Sequence, residues 1–299
     1  MPTTKEIKNR MTSVRDTQKI TNAMYLIAST KMRKAKSGLD LTRPYFNAVQ
    51  AEIKRIFRIN EEIENRYFYP PSGEHELPGS YGYLVITADK GLAGAYNHNV
   101  IKQAEAIMGE HENPKLFVVG EYGRHYFGAH NIPIEKSFLY TAQNPTIHRA
   151  RDISSVLLDE FDRGNLSKLF IVYTDMQGVA SYNVKFTRLL PFHRADFIIP
   201  NLPEEPIKRQ FEFFPSIENV LDNIVPSYVT GFIYSALVDS FCSEQSARMS
   251  AMDSANQNAQ KLLEELKIKY NHVRQSAITQ EITEISSGAK SMKRKSKLE

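Results

Sequence analysis

The chain has 299 residues, 41% of them hydrophobic, 24% charged and 10% aromatic; that length suits about two domains and that composition supplies a core, which excludes disorder throughout. The single cysteine, Cys242, excludes an internal disulfide, a CxxC redox pair and a cysteine-rich zinc site, and no apolar run approaches the roughly 18–20 residues of a membrane span. The net charge of +4 is uneven: residues 1–43 hold ten Lys/Arg against three acids and residues 288–299 five against one, leaving the middle acidic. Basic termini suggest an anionic partner there: nucleic acid, a membrane surface or an acidic protein.

The start, Met1-Pro2-Thr3-Thr4-Lys5-Glu6-Ile7, has no apolar h-region, and Glu6 and Asp16 argue against a transit peptide. A cytosol-facing chain is expected. From about Thr4 to Phe57 the only glycine is Gly38 and the only proline Pro44. Ile7, Met11, Val14, Gln18, Thr21, Tyr25, Ala28, Met32, Ala35 and Leu39 fall at steps alternating four and three. That is a coiled-coil seam. Pro44 should kink or end the helix.

Turn chemistry from Tyr69-Pro70-Pro71-Ser72-Gly73 to Pro78-Gly79 marks a linker. Beyond it, Tyr81–Thr87, Leu116–Val119, Ile134–Phe138, Leu169–Thr174 and Val184–Leu190 read as strands. Helical stretches lie at about Asn97–Glu110, Tyr122–Phe127 and Ile147–Phe161. Strands alternating with helices predict a mostly parallel sheet. The connection Asp175–Tyr182 is too short for a helical crossover, so the last strand should be antiparallel.

Pro200, Pro203, Pro206 and Pro215 mark the exit from that domain. Between Gly231 and Gly288 there is neither proline nor glycine, enough chain for a helix of roughly 80 Å. Its seam is Met249, Met252, Ala255, Ala259, Leu262, Leu266, Tyr270, Val273 and Ala277, followed by an apolar stripe of Ile278, Ile282 and Ile285, with Gly288 as a stop. The fold class expected is therefore α/β: a long antiparallel two-helix coiled coil from the terminal helices, with a central Rossmann-like α/β domain. The boundaries are 1–60 for the first helix, 77–200 for the α/β domain, 210–289 for the second helix and 290–299 for a basic tail. The C-terminal helix outlasts the N-terminal one, so a single-helix tip should protrude.

Catalytic constellations are scarce. Asp89-Lys90-Gly91-Leu92-Ala93-Gly94-Ala95-Tyr96-Asn97 sits where a phosphate loop would, but it lacks both G-x-G-x-x-G and G-x-x-x-x-G-K-[ST]. A tight strand-to-helix turn is preferred over nucleotide binding. The histidines have no metal spacing; Glu74-His75-Glu76 and Glu110-His111-Glu112 read as solvated turns or helix ends. Cys242 reads as packing rather than nucleophile. No catalytic, cofactor-binding or metal residue is assigned. Lys5, Lys8, Arg10, Arg15, Lys19, Lys31, Arg33, Lys34 and Lys36 form a basic N-terminal helix that an acidic partner would suit as well as solvent. Tyr25 is the only aromatic residue before Tyr45, so base stacking is poorly supported.

Three motifs carry a resemblance. Ile7, Arg10, Ser13-Val14, Thr17, Lys19-Ile20-Thr21, Ala23-Met24 and Lys31-Met32-Arg33-Lys34 form the first. Asp89-Lys90-Gly91-Leu92, Gly94 and Asn97 form the second. The third runs through Ser243-Glu244, Ala247-Arg248-Met249, Ala251-Met252, Ala255, Asn258-Ala259 and Leu262 to Tyr270-Asn271, Arg274-Gln275, Ile278-Thr279, Glu281-Ile282, Glu284-Ile285 and Gly288-Ala289. Together they resemble the gamma-subunit family of F-type ATP synthases across the whole chain. Ala93 stands where many members have cysteine. The five basic residues Lys290, Lys293, Arg294, Lys295 and Lys297 run past the family's usual end. The missing cysteine pair is unlike the redox-regulated plastid form, and a bacterial chain is implied.

The resemblance implies a non-catalytic rotor shaft of an F1Fo complex with alpha, beta, delta and epsilon subunits and a membrane c-ring. The chain would be peripheral to the cell membrane on its cytoplasmic side, without cofactor and without nucleic acid. Rotation driven by proton flow would present a different face of the shaft to each beta subunit in turn. By the same resemblance Met24, Lys31, Arg274, Gln275, Thr279 and Glu281 would contact beta, the last four at its catch loop. Val184, Lys185, Phe186 and Arg188, on the expected edge strand, would face epsilon and the c-ring. A basic coiled-coil tether or nucleic-acid-binding protein is the alternative; it predicts salt-sensitive DNA binding.

Overall fold

The first helix is closed at its start by reciprocal side-chain bonds. Glu6 N donates to Thr3 Oγ1 at 3.3 Å and Thr3 N to Glu6 Oε2 at 2.8 Å, a capping box that satisfies two otherwise orphan donors. A computed structural model describes residues 3–59, 65–69, 79–139, 142–176, 182–193, 197 and 213–295, with backbone alone for 58–59, 182 and 290–295. The elements are α1 (Thr4–Ile59), β1 (Ser80–Ile86), α2 (Tyr96–Met108), β2 (Lys115–Val119), α3 (Glu121–Ala129), β3 (Lys136–Phe138), α4 (Ile147–Asp162), β4 (Leu166–Met176), β5 (Tyr182–Leu190) and α5 (Ile217–Lys295). They divide into two compact units, one of residues 1–27 with 249–299 and one of residues 28–248.

The 28–248 unit is built on a five-stranded sheet of order β3-β2-β1-β4-β5. β1 pairs in parallel with β2 and β4, β2 pairs in parallel with β3, and β5 is antiparallel to β4. Alternate residues feed two cores, as the pleat requires. Leu84, Ile86, Phe117, Val119, Leu169 and Ile171 pack with α4, the second half of α1 and the start of α5. Tyr83, Val85, Leu116, Val118 and Val172 pack with α2, Phe127 of α3 and Ala247 of α5. The segment 65–69 is fastened beside this core: Asn65 Nδ2 donates to Asp222 Oδ1 at 3.0 Å and Tyr67 OH to Asp162 Oδ2 at 3.2 Å.

Of the punctuation expectations, that at Pro44, to kink or end the helix, is narrowed and that at Gly288 is corrected. Pro44 does not end α1, which runs to Ile59. Pro44 is exposed, and the turns after it bury Ile53, Ile56 and Phe57 in the core; that burial offsets a cost of about 3 kcal/mol for an interior proline. The second helix, expected from 210, starts at Ile217 and carries Pro226 and Gly231 inside it. Gly288 does not stop α5, which continues to Lys295. One window of α5 is apolar enough by composition to cross a membrane, but 61% of it is buried inside the protein, as for a core helix.

In the other unit the seams appear in the burial. Ile7 and, on α5, Met252 and Leu266 are buried, while Met11, Val14, Gln18, Thr21 and Tyr25 are half-buried between exposed neighbours. Met249, Ala255, Ala259, Leu262, Tyr270 and Val273 are half-buried too, but Ala277 is exposed, so the seam ends a step earlier than its spacing suggested. Thr21 Oγ1 donates to Asn256 Oδ1 across the pair. Met11, Arg15, Gln18 and Lys19 share a groove with Gln260, Leu263, Glu264 and Lys267. Numbers rising on α1 as they fall on α5 make the pair antiparallel. Extended at that register, α1 runs out near Arg274.

Candidate functional site

From Arg274 to Ala289 every side chain of α5 is exposed. Ile278, Ile282 and Ile285 remain 46%, 61% and 73% exposed, an apolar stripe left uncovered by the described residues of its own unit. Arg274, Gln275, Thr279 and Glu281 occupy this stretch and are exposed with it. Thr279 Oγ1 donates to Gln275 O at 2.9 Å and Thr283 Oγ1 to Thr279 O at 2.7 Å. These back-bonds leave the Gln275 amide and the Arg274 guanidinium as the groups presented outward. The structure thus brings four of the expected beta-contact residues together on one helix segment. Met24 is half-buried on α1 in the same unit. Lys31 lies in the other unit, where it is exposed and its charge bears on Glu244.

Val184, Lys185, Phe186 and Arg188 lie on β5, the last strand in the sheet order, and they split between its two faces. Phe186 stacks on Phe170 at 4.7 Å, which in turn stacks on Tyr83 at 5.5 Å. Val184 packs against the α2-side core. Arg188 lies over the Tyr69 ring at 5.0 Å. Lys185 points to the other face and pairs with Asp175 Oδ2 at 2.5 Å. Phe186 is 39% exposed and is the large apolar group this strand offers.

The Asp89–Asn97 turn joins β1 to α2 at the point where chain direction across the sheet reverses, between β1 and β4. In open α/β sheets that crevice is where ligands bind. Here α5 occupies it. Thr174 N, near the end of β4, donates to Ser240 Oγ at 3.1 Å. Arg248 Nη2 donates to Gly91 O at 3.0 Å and to Lys90 O at 3.4 Å. Arg248 Nη1 pairs with Glu244 Oε1 at 2.6 Å, with the two side chains only 10% and 7% exposed. Burial pushes the Glu244 carboxyl up, opposed by the Arg248 charge. The turn reading of Asp89–Asn97 fits: Leu92 and Gly94 are left-handed, with φ of 62° and 56°, and Asn97 Oδ1 accepts from Ala88 N at 2.9 Å. Sequence reasoning saw Glu244 and Arg248 only as part of a motif and missed this clamp; their i, i+4 spacing was the available signal.

Of the two readings of Glu110-His111-Glu112, the helix end fits, since His111 N donates to Met108 O at the end of α2, but His111 is not solvated. It is half-buried, with Nδ1 at 2.8 Å from Tyr83 OH. Glu74-His75-Glu76 lies outside the described residues. Among the described residues no three His, Cys, Asp or Glu side chains converge as a metal cage. Cys242 is buried, and burial pushes its thiol up to about 12, so it stays protonated and inert as a nucleophile.

Burial raises the Asp239 carboxyl to about 6, helped by the neighbouring Asp175 charge and opposed by Arg43. Unfolded, it would titrate near 3.8. Between those values the folded chain binds the extra proton, so stability falls as pH rises through that window. Asp239→Asn should therefore stabilise the chain at pH 8 by about 1–2 kcal/mol, a figure reduced for partial solvent screening. The gain should vanish near pH 4. Denaturant titrations of both chains at the two pH values check this.

A family model described as ATP synthase matches residues 3–292. The ATP synthase gamma chain of Caldanaerobacter subterraneus is 42% identical over 292 residues, covering 95% of this chain and 98% of that relative. The chain belongs to the ATP synthase gamma-chain family. A second member, from Acetivibrio thermocellus, is 40% identical over 292 residues, with 96% and 98% covered. Among solved structures, the central stalk and c-ring of Tetrahymena thermophila mitochondrial ATP synthase yields a chain with TM-score 0.60 and 23% identity, covering 79% of this chain and 99% of that one. That likeness is one of fold: terminal long helices around a central α/β unit. Family membership does not favour the tether alternative.

Proposed function

We propose that this gamma-family chain is the rotor shaft of an F1Fo ATP synthase. Its coiled coil turns inside a ring of alternating alpha and beta subunits, and its α/β unit joins epsilon and the c-ring. Ion flow through the c-ring turns the shaft, and each beta subunit meets a different face in turn, which shifts its site among states of different nucleotide affinity. The observation that carries this reading is the uncovered stretch from Arg274 to Ala289 with its exposed Ile278, Ile282 and Ile285. A lone helix is marginal in water, and an apolar stripe of this kind marks a surface made to be covered. Arg274, Gln275, Thr279 and Glu281 would touch beta within that cover, with Met24 and Lys31 contributing from α1. Val184, Lys185, Phe186 and Arg188 would form the foot toward epsilon and the c-ring, where an edge strand offers unpaired backbone groups.

In this role the chain holds no nucleotide chemistry of its own and stays at the cytoplasmic face of the cell membrane through its partners. Two measurements test it. The chain should co-purify from membranes with ATPase subunits. The isolated, homogeneous chain should show no ATP turnover, and turnover should appear only when alpha and beta are present. Turnover by the chain alone would overturn the reading.

A further inference from the structure

The base of α5 is held in two different ways. Leu221, Val225, Val229, Ile233 and Leu237 bury their side chains in the core beneath the sheet. Apolar contact is non-directional: it keeps the helix against the sheet and opposes sliding or turning about the helix axis through the fit of side chains, without a bond that sets one position. The directional contacts of α5 below Ser240 include those to the 65–69 segment and to α4, where Asp222 Oδ1 accepts from Asn65 Nδ2 at 3.0 Å and Thr230 Oγ1 lies 2.7 Å from Ser154 Oγ. Those to the sheet and its β1–α2 turn begin at Ser240 and end at Arg248, the last residue of this unit before Met249 opens the other. Ser240 Oγ takes the Thr174 N–H at 3.1 Å, and Ser243 Oγ lies 3.5 Å from Thr174 O. Arg248 then reaches two consecutive main-chain carbonyls, Lys90 and Gly91, while Glu244 holds the other side of its guanidinium at 2.6 Å.

A guanidinium is planar, with donors in a fixed fork. Bound to two neighbouring carbonyls, it defines one height and one rotation of the helix that carries it. The carbonyls themselves are well anchored. Their turn passes through left-handed Leu92 and Gly94, and Asp89 Oδ1 accepts from Glu121 N at 3.0 Å, which ties the turn to α3.

We propose that Arg248, oriented by Glu244, is a torque-bearing positioning residue that locks α5 to the β1–α2 turn, so that the helix cannot slip or turn on the sheet when the shaft is loaded. This rests on the rotor reading. The hydrophobic base keeps α5 in place at rest; the Arg248 fork resists force along or about the helix axis.

The test uses the whole complex, reconstituted in vesicles with wild-type chain, Arg248→Ala, Arg248→Lys and the reversed pair Glu244→Arg/Arg248→Glu. ATP hydrolysis, ion pumping per ATP and amide exchange of residues 91–97 are measured. Arg248→Ala should leave hydrolysis within about twofold, lower pumping per ATP at least threefold and speed exchange about tenfold. Arg248→Lys keeps a cation for Glu244 but loses the fork, so it should stay uncoupled. The reversed pair restores opposite charges but removes the fork from position 248, so it should stay uncoupled too. Wild-type coupling in the reversed pair, or in Arg248→Ala complexes of full stoichiometry, would overturn the proposal. Should Arg248→Ala fail to assemble, Arg248→Lys decides in the same way. A wild-type complex that hydrolyses without pumping would count against the rotor reading instead.

Discussion

Gly231→Ala should destabilise the 28–248 unit by about 1–3 kcal/mol, a sizeable share of the 5–15 kcal/mol that holds a typical domain together. Gly231 lies inside α5, and a Cβ built there would collide with three atoms of the Phe46 ring on α1. The ring packs on one side against the main core, with Tyr45 edge-on at 5.3 Å and Tyr234 at 6.5 Å, and on the other it borders a groove of about 390 Å³ lined by Leu41, Thr42 and Tyr45. The methyl must therefore separate the two helices or force Phe46 off its rotamer, and either costs more than the helix-propensity gain of about 1 kcal/mol from replacing glycine. Phe46→Ala should itself destabilise by opening a void. The double substitution should be milder than the sum of the two, because each relieves what the other creates. Denaturant titration of the three variants checks this. A Gly231→Ala chain within about 0.5 kcal/mol of the parent would mean the helices separate freely at this point.

The same glycine shows where sequence legibility ended. Read locally, Gly231 weakens a helix, Gly288 ends one and Pro44 kinks or ends one. Each rule describes a backbone in isolation, whereas Gly231 is there because a ring 185 positions earlier needs its space. Pro44 is tolerated because the turns beyond it bury Ile53 and Ile56. Patterns set by burial itself were legible. The alternating four-and-three steps from Ile7 to Leu39 coincide with the less exposed side of α1, and each expected strand overlaps the observed one. The antiparallel last strand followed from the length of its connection. What stayed hidden were polar residues whose partners are distant in sequence. Glu244 and Arg248 look like a surface i, i+4 pair, and only the carbonyl of Gly91, 157 positions away, makes them a buried clamp. His111 looks solvated between two glutamates, and only Tyr83 across the fold claims it. The exposed tip of α5 was legible for the opposite reason: its meaning lies in having no partner among the described residues of its unit.

Replacing Arg274 and Gln275 together by leucine should lower ATPase turnover and ion pumping about tenfold while leaving assembly intact. Both residues are exposed beyond the last half-buried seam position, Val273, so their loss removes nothing that holds the two helices together. Leucine is a strong helix former, so α5 should continue through the change. Thr279 still bonds to the main-chain carbonyl of residue 275, which the substitution does not touch. What disappears is the outward set of guanidinium and amide donors. A contact that forms and breaks once per turn must be modest: about 0.5–1.5 kcal/mol for a neutral hydrogen bond and about 1.5–3 kcal/mol for a charged one. Only the part of that energy that differs between rotational states reaches the catalytic sites, which sets the expected loss nearer tenfold than a thousandfold. Gln275→Ala alone removes only the neutral contact and should cost a few-fold. The double variant is reconstituted into the whole complex in vesicles, with its membrane sector, and steady-state hydrolysis and pumping are compared with the parent complex at equal stoichiometry. Parent rates for both would show that Arg274 and Gln275 form a solvated face and that the uncovered tip works through its isoleucine stripe alone. A selective loss, with assembly unchanged, would place the coupling contact on the polar side of the same helix.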